Sequence, residues 1–68
     1  MPPDPALIRA KVQAVIDQAR AASEIPWDDD QLGYHRLVLP QMSRWLPEEE
    51  RAELLREFDA ELARLNAA

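Results

Sequence analysis

The sequence predicts an all-α fold, a small three-helix bundle whose sequential helices run antiparallel. Three observations predict it. Apolar residues recur in steps of three and four along three separate stretches, which gathers them on one face of a helix each time. Each stretch opens on a helix-start signal: Asp4-Pro5, Asp28 with Gln31, and Pro47 followed by three glutamates. The connections between the stretches are short, so each helix folds back on the one before it.

The first helix is expected from about Pro5 to Ala22, after a frayed leader at Met1 to Pro3. Asp4 can accept a bond from an orphan backbone N–H, and Pro5 loses nothing at the first helical position. Ile8, Val12, Val15, Ile16, Ala19 and Ala22 make the apolar stripe, with Leu7 beside it. Ile25 precedes Pro26 and is pushed toward an extended conformation, so this helix ends before it.

The middle helix is expected from about Asp29 to Leu46. With Asp28 as N-cap, Gln31 stands at the third helical position and completes a capping box. Trp27 and Leu32 then take the two positions of a hydrophobic staple, and Asp29 and Asp30 complement the helix dipole. The same acids cannot form a calcium loop, because Leu32 and Leu39 would fall at ligand positions. Beyond Leu32 the apolar pattern broadens. Leu32, His35, Leu39, Met42 and Leu46 form one stripe; Tyr34, Val38, Met42 and Trp45 form a second beside it; Leu37 falls away from both. Gly33 costs about 1 kcal/mol against Ala in a helix interior, though it permits a close backbone approach. Pro40 removes the bond to the Arg36 carbonyl and clashes with the preceding turn, at about 3 kcal/mol. The expectation is a helix kinked or broken at Pro40.

The third helix is expected from Pro47 to about Asn66, with Glu48 to Glu50 at its positive end. Leu55, Phe58, Leu62 and Leu65 make its stripe, with Ala52 ahead of it and Leu54 and Ala63 at its edges. The pattern is too short for a coiled-coil seam.

The 68 residues make one domain, 1–68. A chain this short buries only about 60% of its unfolded surface. It has no cysteine, so neither disulfides nor thiolate metal sites supplement the core. Helix packing must suffice, or the core is completed by dimerisation. The net charge of −5 disfavours nucleic acid and anionic lipid as partners. No run approaches the ~20 apolar residues of a membrane span, and no basic segment followed by an apolar one marks a signal peptide. A cytoplasmic location follows as the expectation. Seven arginines to one lysine is a bias associated with GC-rich bacterial genes.

Chemistry is sparse. His35 is the only histidine, so a two-histidine zinc helix is impossible. Ser23 and Ser43 lack a glycine-flanked elbow, and one glycine cannot build a phosphate-cradling loop. A pocket of several hundred cubic ångströms is not expected in so small a chain. No catalytic residue, no cofactor and no metal is assigned. His35 reads as a half-buried core residue, or alternatively as a pH-sensitive interface residue.

The partner is expected to be another protein or a second copy. Its binding residues are expected on the middle helix: Tyr34, His35, Val38, Met42 and Trp45, with Arg36 and Arg44 close by. Tyr, Trp, Arg and Met are the types enriched at interface hot spots. The chain then reads as an accessory subunit, adaptor or regulator. The alternative is an acidic inhibitor that mimics nucleic acid, using Asp28 to Asp30 and Glu48 to Glu50 against a basic surface. Salt separates the two, since a mimic loses affinity steeply as salt rises.

Overall fold

A computed structural model describes residues 4–67; the N-terminal leader expected at Met1 to Pro3 lies outside them. Three helices follow in order: α1 over Pro5–Ala21, α2 over Asp29–Ser43 and α3 over Glu48–Ala67. The sequence signals act where they were placed. The Asp4 carboxylate accepts from the Ala6 N–H at 2.9 Å, with Pro5 in the first turn. At α2 both halves of the capping box form. The Gln31 N–H donates to Asp28 at 2.8 Å, and the Asp28 N–H donates to the Gln31 side chain at 3.4 Å.

The helices pack as a bundle. α1 lies closest to α3, while α2 and α3 meet least closely. Ion pairs report the direction of α1 against α3. Arg9 meets Glu50 at 2.8 Å near the start of both helices, and Arg20 reaches Glu57 and Glu61 at 3.7 and 3.9 Å near the end of α1. α1 and α3 are therefore parallel, and α2 runs back antiparallel to both. The core is Ile8, Val12 and Ile16 from α1, Leu39 and Leu46 from the α2 region, and Leu54, Phe58 and Leu62 from α3. Val15, Trp27, Leu32, Met42 and Leu55 pack partly buried against it.

Two expectations change, and two helix bounds shift by one residue. Of the two forms expected at Pro40, kinked or broken, the middle helix is not broken: it runs through the proline, and it ends at Ser43 before reaching Leu46. Pro40 is exposed, and only three helical residues follow it. Ser43 is fully buried, and its hydroxyl donates to the Pro40 carbonyl at 3.2 Å, giving that carbonyl a partner at the helix end. α1 stops at Ala21, with Ala22 as C-cap in extended geometry. α3 starts at Glu48, and Pro47 precedes it, its carbonyl accepting from the Arg51 N–H at 2.9 Å. One position of the α3 stripe also changes, while Phe58, Leu62 and Leu65 are buried as expected. Leu54 is buried and Leu55 only half-buried, because α3 turns its face toward α1 more than toward α2.

Candidate functional site

α2 is the element with surface to spare. A helix packed on two neighbours hides only the stripe aimed between them. On α2 that stripe carries Leu39 and Ser43, both buried, with Leu32, His35 and Met42 half-buried at its margins. The second stripe divides: Val38 and Met42 are half-buried, while Tyr34 and Trp45, together with Leu37 off both stripes, stay outside. Tyr34 is 61% exposed, Leu37 62% and Trp45 47%.

The seven residues expected to bind a partner fall into three places. At the C-terminal end of α2, Trp45 lies in the turn that leads to α3. It shares a hollow of about 330 Å³ with Met42 and with Leu7, Ile8 and Lys11 of α1. Leu7 is itself 62% exposed, so the rim of this hollow is apolar on both sides. The Arg44 guanidinium stands 5.4 Å from the centre of the Trp45 ring, within cation–π range. Tryptophan, methionine and arginine thus meet at one accessible point.

At the N-terminal end of α2 the aromatic groups gather. His35 is half-buried, with its ring centre 4.7 Å from Trp27 and 5.8 Å from Tyr34. Trp27 continues inward to Phe58 at 6.0 Å. His35 is therefore one layer of an aromatic stack that closes this end of the core. A hollow of about 590 Å³ opens above it between Gln18, Pro26, Asp30 and Tyr34. Val38 lies half-buried between the two ends, one turn from Tyr34.

Arg36 belongs to neither end. It lines the groove between α2 and α3, about 420 Å³, whose floor is Leu39, Phe58 and Leu62 and whose rim includes Asp59 and Asn66. The expectation that so small a chain has no hollow of several hundred cubic ångströms is thus corrected: the gaps between helices reach that size, and each has exposed residues on its rim. Arg36 is likewise separated from Tyr34 and Trp45, each of which shares a hollow with residues of α1.

Leu7 is the residue that sequence reasoning undervalued. It stands beside the α1 stripe, and only the antiparallel return of α2 brings Trp45 next to it. No spacing within α1 carries that signal.

The acids are distributed by the topology. Asp28 to Asp30 open α2 near the end of α1, where Asp30 and Gln31 share a hollow with Gln18. Glu48 to Glu50 open α3 near the start of α1, where Glu50 pairs with Arg9. The two clusters therefore lie at opposite ends of the bundle. Among the described residues no three His, Asp or Glu side chains gather in a way that could hold a metal ion. No helix among them is long and apolar enough to cross a membrane. Comparisons with protein-family models, with curated proteins and with solved structures find no match to this chain.

Proposed function

We propose that this chain is a small helical protein-interaction module, an accessory subunit, adaptor or regulator of the cytoplasm, that docks through the exposed apolar side of α2. The observation that carries the reading is Trp45. A tryptophan left about half exposed, beside an exposed leucine and under an arginine, is chemistry found at the centre of binding interfaces and is costly to leave in water. The fold does not use it as core, since Leu39, Leu46 and Phe58 fill that role. The reading as an acidic mimic of nucleic acid is weaker, because the two acidic clusters do not merge into one face.

The test is Trp45→Ala in a tagged copy used to capture partners from the native cell. The expected result is a protein with unchanged helicity that no longer retains its partner. Retention that falls steeply with added salt in the parent protein would instead favour the acidic mimic.

A further inference from the structure

The outer stripe of α2 runs beside the Trp45 hollow, shares Arg44 with that docking point, and has a symmetry of its own. Asp30, Leu37 and Arg44 follow at seven-residue spacing, so they lie almost in line down the helix, with Gly33 and Gln41 beside them. Arg44 is the C-cap but keeps helical angles, φ −62° and ψ −18°, so the line continues through it. All five residues are exposed. Leu37 is the midpoint between an acid and a base, which stand about 21 Å apart along the axis.

We propose that this stripe pairs with the same stripe of a second copy of the chain, the two α2 helices lying antiparallel about a two-fold axis at Leu37. The proposal rests on the reading of α2 as the docking helix and names one occupant for it. The argument is charge self-complementarity. A two-fold contact uses the same patch twice, so each residue must suit its mirror position. With the axis at Leu37, Asp30 of each copy faces Arg44 of the other, and both ion pairs form together. Leu37 meets itself at the centre, where an apolar side chain is wanted. The positive end of each helix dipole also lies beside the negative end of the other.

Gly33 is the second observation. It sits within α2, where glycine costs about 1 kcal/mol against alanine. Nothing in the chain requires it: its φ is not positive, and a Cβ built there meets no atom within 4 Å. In the pairing it faces Gln41 of the other copy, and the missing side chain lets the two backbones approach. Tyr34 flanks the contact and covers its edge. Two paired helices make a contact at the small end of specific interfaces, below about 1,200 Å², so the dimer is weak and concentration-dependent.

Sedimentation equilibrium of the purified protein across a wide concentration range tests the pairing without any other partner. A reversible dimer is expected. Leu37→Glu, which buries two carboxylates against each other, should weaken it about tenfold or more, and Gly33→Leu should weaken it with helicity retained. Asp30→Arg and Arg44→Asp should each weaken it about fivefold or more, because each sets like charges face to face twice; together they should restore it. Trp45→Ala, which removes only the ring beside Arg44, should weaken it less than Leu37→Glu does. A protein that stays monomeric at every concentration overturns the pairing while leaving the Trp45 docking reading intact. A dimer broken by Trp45→Ala but not by Leu37→Glu overturns it too, and places self-association in the Trp45 hollow. Failure of the double charge exchange to restore affinity overturns the register.

Discussion

Arg64 shows what one side chain contributes when it arrives from another helix. Its guanidinium donates to the carbonyls of Ala19, Arg20 and Ala22 at 3.1, 3.2 and 3.3 Å, and its Nε donates to Glu61 at 2.9 Å. The last carbonyls of a helix lack α-helical partners, though that of Ala19 also accepts from the Ala22 N–H at 3.2 Å, and a cation there opposes the negative end of the helix dipole. One residue of α3 thus caps α1 and fixes how far the two parallel helices slide. The side chain is about half exposed, so water screens part of the gain. Arg64→Ala should lower stability by about 1 kcal/mol in urea unfolding, and Arg64→Lys should recover only part of it, because one ammonium cannot serve the carbonyls and also keep the separate Nε bond to Glu61. A change smaller than the error of the measurement would mean that the bonds only replace equivalent ones to water. In the sequence Arg64 is visible only as a neighbour of Glu61; its main partners lie more than forty residues away and depend on the fold.

At the scale of the element, α2 departs furthest from an ideal helix. Its start is over-determined, with a cap, a box and first-turn acids that were all legible in the sequence, because each acts within four residues. Its end was not legible. Pro40 signals trouble locally, but whether the helix breaks, bends or stops depends on what the following residues bury. Leu46 goes into the core and Ser43 is buried with its hydroxyl on the Pro40 carbonyl, so the chain turns after Ser43 and carries Trp45 to the surface. Pro40 remains exposed on the flank of the groove between α2 and α3. Pro40→Ala restores an N–H for the Arg36 carbonyl and removes the ring clash, against an unfolded chain that gains freedom. The expected balance is a stabilisation of about 1 kcal/mol with a small rise in helical circular dichroism. A loss of stability would show that the proline ring packs in the groove more than its exposure suggests.

The three-helix architecture of the whole molecule was legible because hydrophobic period and start signals agree in all three segments. The burial of Leu54 ahead of Leu55 was not, since two adjacent leucines both fit the helical period and only the position of the neighbouring helices chooses between them. The same holds for the candidate surface. Tyr34 and Trp45 could be named from α2 alone, and so could the surplus of apolar width. That Leu7 completes the Trp45 hollow, and that Arg36 faces away from it, needed the bundle. The core itself is small and has no disulfide to support it, so it tolerates little loss. Phe58→Ala removes a buried ring that touches the Trp27 stack, at about 3–5 kcal/mol, which approaches the whole stability of a domain this size. Loss of a cooperative thermal transition is expected for that variant, and a well-folded product would mean that the core is held mainly by association between copies.

The central claim is that the outer apolar side of α2 is surplus to folding. Equilibrium urea unfolding of Trp45→Ala beside the parent protein, both at low concentration, tests it most directly. A surface role predicts an unchanged slope and a loss of no more than about 1 kcal/mol, well short of a core truncation. A loss of about 3 kcal/mol or more, or the disappearance of the cooperative transition, would place Trp45 in the core and contradict the account.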